Sequence, residues 1–172
     1  IITYVRTGAI THEDSMGNRG RTEAGDVQVM SAGAGVTHAE YNLEDEATTL
    51  YQIWILPKTR GGKPFWGAAK FPKSDRAGAL VTLASGFEED QQAGALPIRQ
   101  DARVLAATLS KGQIVSHPLG AERHAYVALA KGEARINGVA LGPRDGAAIR
   151  EEKELRIEAG DAGAEIVLVD AP

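Results

Sequence analysis

The sequence predicts an all-β protein of short strands, on three observations. Twenty glycines are scattered among short apolar runs in 172 residues, a pattern that suits many tight turns better than long helices. Two segments, Asp26 to Met30 and Thr48 to Leu56, alternate with the period of 2 that a half-buried strand requires. From Gly78 onward, apolar runs recur between turn pairs such as Lys131-Gly132 and Asn137-Gly138, at intervals close to those of a sandwich or barrel. The length allows one large domain or two small ones, each with a proper core.

Composition excludes several function classes. Without cysteine there can be no disulfide and no thiolate metal site, which fits a reducing cytoplasm and leaves only nitrogen and oxygen ligands for a metal. The 19 basic and 23 acidic residues are well mixed, and a net charge of -4 gives no footprint for binding nucleic acid. No apolar run reaches the roughly 18 residues of a membrane span, and no signal-peptide pattern opens the chain. It reads as soluble and cytoplasmic, with no membrane partner. Ile1-Ile2-Thr3-Tyr4-Val5 already has the look of mid-strand, without an initiator methionine, as in a chain whose beginning is not included.

Ile1 to Val5 and Ala9 to His12 read as strands around Thr7-Gly8, followed by a turn at Asp14 to Asn18, giving a hairpin with His12 at its end. A turn-flanking histidine there is expected to bond to backbone. In Asp26 to Met30, Val27 and Val29 share one face and Gln28 and Met30 the other. Ser31 to Gly35 carries little side chain, so it either bends the backbone sharply to bring the next strand inward or is an ordinary flexible loop. It has neither the lysine nor the helix of a phosphate-binding loop.

Val36 to Tyr41, read as a strand, points His38 and Glu40 to one face. An inward carboxylate needs its charge compensated, and imidazole is the commonest metal ligand, so a divalent cation would satisfy both. A surface strand with a polar face is the alternative. Glu44-Asp45-Glu46 reads as a solvated loop. Thr48 to Leu56 is the strongest strand, with Leu50, Gln52 and Trp54 on one face and Tyr51, Ile53 and Ile55 on the other. Gln52 and Trp54 could offer an aromatic ligand an amide and a flat wall, or Trp54 could be core. Phe65-Trp66 and Phe71-Pro72 read as an aromatic connection docking one half onto the other, with a boundary near Pro72. The second half holds no His-x-Glu pair, and His117 and His124 read as surface or hydrogen-bonded histidines.

The frame Gly25, Gly33, Gly35, His38, Asn42 is similar to the second metal motif of the cupin barrels. MSAGAGVTHAEYN resembles, more narrowly, the pirin family, as do HEDSMGN (His12 to Asn18) and LYQIWILP (Leu50 to Pro57) at family spacing. The resemblance is strong from Ile1 to about Phe71 and weaker to Pro172. It implies two double-stranded β-helix (jelly-roll) barrels in tandem, the first incomplete at its N-terminus. Residues 1–72 would be the metal-carrying barrel and 73–172 a barrel without metal.

In that family the metal is held by four side chains, of which His38 and Glu40 match. A His-x-His pair would fall just upstream of Ile1, and 172 residues alone would retain metal poorly. His12 matches a histidine that is not a ligand. The cofactor implied is iron(II), or another divalent first-row metal, and the activity a quercetin 2,3-dioxygenase cleaving a flavonol with dioxygen and releasing carbon monoxide. Glu40 would be a ligand or the catalytic base. The alternative is a non-enzymatic, iron-dependent binding protein for transcription factors or metabolic enzymes. A metal-free scaffold is a third reading.

Overall fold

The computed structural model describes residues 1–172. Seven strands come first: β1 (Ile2–Thr7), β2 (Ala9–Asp14), β3 (Arg19–Glu23), β4 (Val27–Ser31), β5 (His38–Tyr41), β6 (Thr49–Ile53) and β7 (Phe65–Ala69). They form a four-stranded sheet, β6-β1-β4-β7, and a three-stranded sheet, β3-β2-β5. A 3₁₀ turn at Lys73–Arg76 leads to β8 (Val81–Ser85), α1 (Glu88–Gln92), β9 (Leu96–Pro97), β10 (Arg103–Leu109) and β11 (Ile114–Pro118). Then follow β12 (His124–Ile136), β13 (Val139–Leu141), β14 (Gly146–Ile149) and β15 (Glu154–Ala171). These eight strands make one sheet, β13-β12-β15-β10-β8-β9, with β11 on β15 and β14 on β12.

The two long strands curl this third sheet into a barrel. β12 pairs with β14 along Ala125 to Ala128 and with β13 along Ala134 to Ile136, while β15 takes β11 in its first part and β10 in its second. Lys131-Gly132, expected as a turn, is instead a bend inside β12, where the register against β15 shifts on either side of these residues. A glycine at a bulge bends a strand without reversing it. Asn137 (φ +47) and Gly138 (φ +85) close the β12–β13 hairpin, the geometry Asn-Gly favours. The barrel interior is apolar, with a cluster of 16 buried residues that includes Leu129, Leu155, Ile157 and Leu168.

The expected pairing at the start of the chain is corrected. β1 and β2 do not form a hairpin, because both edges of β1 are taken by β4 and β6. The hairpin is β2 with β3, closed over Asp14 to Asn18, where the Asp14 amide donates to the Asn18 carbonyl at 3.0 Å. The aromatic connection is also corrected. Phe65 and Trp66 lie in β7, paired with β4, and Trp66 turns into the first layer pair; only Phe71 packs on the junction of the halves.

Alternation in the four-stranded sheet decides where the site sits. Ile2, Tyr4, Val27 and Val29 face the second half and pack with Leu83, Ala84, Leu96, Val104, Ala106 and Val167 into a dry cluster. Thr3, Gln28 and Gln52 therefore occupy the opposite face, in one row across β4, β1 and β6. The sheet is apolar toward its neighbour and polar toward its own partner sheet.

Candidate functional site

The three-stranded sheet supplies the facing half. β2 and β5 pair with His12 opposite Glu40 and Asp14 opposite His38, so all four side chains project from one face. Sharp backbone turns at Gly33 (φ +57) and Gly35 (φ +133) precede β5. A Cβ at Gly33 would stand 2.4 Å from the Gly62 carbonyl oxygen, which itself receives the Ala34 amide at 2.8 Å. Only glycine permits that approach. It ties the bend before His38 to the loop before β7.

Glu40 is where polar side chains from both sheets converge. Its Oε1 accepts from Thr3 Oγ1 (3.3 Å) and from Gln28 Nε2, and its Oε2 accepts from Gln52 Nε2 at 2.7 Å. Each amide is oriented in turn: Thr22 Oγ1 donates to Gln28 Oε1 at 3.1 Å, and Trp54 Nε1 donates to Gln52 Oε1 at 3.0 Å. Both chains of donors therefore run toward Glu40 and end on it. All three hydrogen-bond partners are neutral side chains. A carboxylate offers about four acceptor positions, so one is left for another group.

His12 departs from its expected role. It is completely buried and bonds to a carboxylate, not to backbone: its Nε2 lies 3.1 Å from Asp14 Oδ2. Asp14, two residues along, shares its face and gives a stronger, charged acceptor. Burial alone would raise the Asp14 pKa. Hydrogen bonds from the Asn18 side chain, His12 and the Asn18 and Met16 amides outweigh it and hold the carboxyl at about 2. The His12 ring stacks on Trp66, with centroids 5.0 Å apart and planes 10° apart. Gly20, opposite His12 across β3, clears the space: a Cβ there would meet Trp66 Cη2 at 2.2 Å. The His38 ring is also near, its centroid 5.6 Å from that of His12 and its plane tilted by 32°.

His38 and Glu40 thus share a face, and Gln52 touches Glu40. Trp54 joins only through Gln52. It is 73 % exposed, on the rim, where with Met30, Leu56, Ile98 and Arg99 it bounds a cavity of about 270 Å³ at the junction of the halves. His38 and Glu40 do not line that cavity. Imidazole nitrogen and carboxylate oxygen are the right donors for a divalent first-row metal. Two donors are only part of a set, and no group of three or more His, Asp or Glu side chains is arranged to hold a metal ion. Thr3, Thr22 and Gln28 escaped sequence reasoning; a lone glutamine within Val27-Gln28-Val29-Met30 was the available signal. In the second barrel His117 Nε2 bonds Asp170 Oδ2 at 2.9 Å, and His124 is exposed.

Comparison with known proteins agrees with this architecture. Residues 1–55 match the family model described as Pirin, and residues 82–171 match the Quercetinase C-terminal cupin domain. A pirin-like protein of Caulobacter vibrioides is 60 % identical over 171 residues, covering 99 % of this chain and 72 % of that protein. Quercetin 2,3-dioxygenase of Escherichia coli K12 is 38 % identical over 173 residues, covering all of this chain and 72 % of the relative. The crystal structure of the bacterial pirin YhhW from Escherichia coli in complex with nickel(II) superposes with a TM-score of 0.89 at 36 % identity, over 99 % of this chain and 71 % of the other. No helix here is long and apolar enough to cross a membrane. With two cupin barrels in tandem and both family models matched in order, this chain belongs to the pirin family.

Proposed function

We propose that the chain is a quercetin 2,3-dioxygenase-type oxidoreductase that acts on a flavonol with dioxygen, and that His38 and Glu40 are its metal donors. Residues 1–72 would form the active unit and residues 73–172 the supporting barrel. The observation that carries this reading is the polar interior of the first layer pair. Thr3, Thr22 and Gln28 are 1 %, 1 % and 2 % exposed, yet they spend their hydrogen bonds on orienting one carboxylate. A buried polar network adds little stability over a well-packed apolar interior, so its retention here is read as functional. The family relationship and the nickel(II) complex of YhhW support the same choice.

Iron(II), or another divalent ion, would supply a site for dioxygen and a Lewis acid for the flavonol oxygens. Glu40 keeps one acceptor position free, so it serves a cation or a substrate hydroxyl proton, one at a time, unless an amide lets go. Gln28 and Gln52 hold its plane for either use. Gln52 and the rim residue Trp54 would meet the flat aromatic substrate.

The test is flavonol absorbance in aerobic buffer after anaerobic loading of the protein with iron(II). Bleaching is expected, and Glu40→Ala should slow it by about 100-fold or more, the usual scale for a lost acid or base. Loss of flavonol no faster than with His38→Ala rejects the dioxygenase reading.

A further inference from the structure

The segment that leads from β6 to β7, Trp54 to Pro64, contains no strand or helix, yet three consecutive residues of the second half hold it along its length. Gln100 Nε2 donates to the Leu56 carbonyl at 3.0 Å, the Lys58 amide donates to the Arg99 carbonyl at 2.7 Å, and Lys58 Nζ pairs with Asp101 Oδ2 at 2.6 Å. Arg99 then reaches the far end: its Nη1 donates to the Gly61 carbonyl at 3.1 Å and its Nη2 to the Lys63 carbonyl. The planar fork of a guanidinium can serve two carbonyls at once. Gly62 lies between them at φ +84°, so close to the fork that a Cβ there would stand 3.0 Å from Arg99 Nη1. With the peptide planes on either side braced, the Gly62 carbonyl keeps one direction. It accepts the Ala34 amide at 2.8 Å and stands against Gly33, in the bend just before His38.

We propose that Arg99, from the second half, is a positioning residue for the strand that carries His38 and Glu40. Its guanidinium clamps the Gly61 and Lys63 carbonyls, the clamp aims the Gly62 carbonyl, and that carbonyl holds the Gly33–Ala34 bend from which β5 departs. The second barrel, which supplies neither member of the His38–Glu40 pair, thereby sets the angle at which the pair enters the polar interior of the first. Side chains at a reacting centre must be held to fractions of an ångström, so a brace on the preceding bend has leverage on them. This rests on the reading of His38 and Glu40 as the functional pair and adds to it a reason for the tandem arrangement: the site strand is fixed across the junction.

The experiment is amide hydrogen exchange of the metal-free protein, followed in ¹H–¹⁵N spectra. In the wild type the Ala34 amide should exchange well below the rate of the exposed Arg60 and Gly61 amides. Arg99→Met removes the fork and keeps an apolar stem beside the cavity that Arg99 bounds. Ala34 should then exchange about 10-fold faster or more, the lower end for losing a hydrogen bond from a charged group. The amide signals of His38 and Glu40 should move with it, and β12 and β15 should accelerate less. Arg99→Lys retains the charge without the fork and should behave as Arg99→Met does. An unchanged Ala34 rate in Arg99→Met overturns the proposal, as do fixed His38 and Glu40 signals or full recovery with lysine. Uniform acceleration across both halves also overturns it, since that is a loss of stability and not of position. An unprotected Ala34 amide in the wild type overturns it even if neither variant folds. These spectra need neither metal nor flavonol, so their failure removes the clamp and leaves the dioxygenase reading intact, whereas failure of flavonol bleaching removes that reading and leaves the clamp.

Discussion

Tyr4→Phe probes the junction between the halves. Tyr4 is 1 % exposed, and its hydroxyl accepts from Arg76 Nη2 (3.2 Å) and donates to Glu165 Oε1 (3.1 Å). Phenylalanine keeps the ring in the shared cluster and removes only those two bonds. Arg76, also 1 % exposed, would retain the Gly25 carbonyl at 2.9 Å, while Glu165 would keep Arg6 and Lys73. Hydrogen bonds to charged groups contribute about 1.5–3 kcal/mol each. Arg76 has the fewest remaining partners and should fall at the upper end, and Glu165, better supplied, at the lower. A loss of about 4 kcal/mol is expected, or a Tm lower by about 8–16 °C for a chain of this size. Both tryptophans, Trp54 and Trp66, lie in the first half, so their fluorescence during urea unfolding reports that half, with far-UV circular dichroism reporting the whole chain. The pH dependence provides a second check. Burial first, then the charge of and hydrogen bond to Glu165, push the Tyr4 hydroxyl up to about 12 against the opposing pull of Arg76 and Arg6. The unfolded chain releases this proton near pH 10, so the stabilisation is complete below that pH and is lost as the pH rises toward 12. Tyr4→Phe should flatten this alkaline limb. A destabilisation below about 1 kcal/mol, or an unchanged alkaline limb, would refute the junction's dependence on this hydroxyl.

Three further outcomes are expected. Asp170 is subject to burial, which raises its pKa, but the hydrogen bonds from His117 and Arg123 and their charges outweigh it and leave it below the ordinary aspartate range. Its stabilisation is therefore present above the unfolded aspartate pKa and lost as pH falls through the lower folded value; Asp170→Asn should lower stability at neutral pH and shrink the acid limb of a stability–pH curve, and an unaltered limb would count against the His117–Asp170–Arg123 cluster. Gly20→Ala must displace Trp66, since its Cβ would fall 2.2 Å from the indole; a loss of about 1–3 kcal/mol and a shifted tryptophan emission are expected, and a wild-type emission spectrum would contradict the packing. Leu129→Ala, at a fully buried position of the second barrel, should cost about 3 kcal/mol in urea titration, whereas a loss under 1 kcal/mol would mean that this core collapses around the cavity.

Much of the architecture was legible because strand patterns are local. Alternation in Val27 to Met30 and the Asn137-Gly138 turn need only nearest neighbours to be read, and both carry through to the folded chain. Pairing is not local. Gly8 separates two strands in different sheets, and Lys131-Gly132 bends a strand that continues, because the free edges and registers around them are set by segments distant in sequence. The aromatic pair Phe65-Trp66 reads as part of the junction for the same reason: its composition gives no direction, and the indole's partner, His12, lies 54 positions earlier.

By itself, the amino-acid order determined an all-β chain of two similar barrels, a shared face for His38 and Glu40, and the family to which the motifs point. Period-2 geometry and glycine turns carry that information within a few residues. Tertiary structure alone decided which face of β6 looks inward, because Tyr51 and Ile53 needed an apolar surface that only the second half offers, leaving Gln52 for Glu40. It also decided that Thr3, Thr22 and Gln28 would serve that carboxylate, and that His12 would be buried beside Trp66 and His38. Desolvation and hydrogen-bond partners are properties of the packed volume, and no single strand contains them.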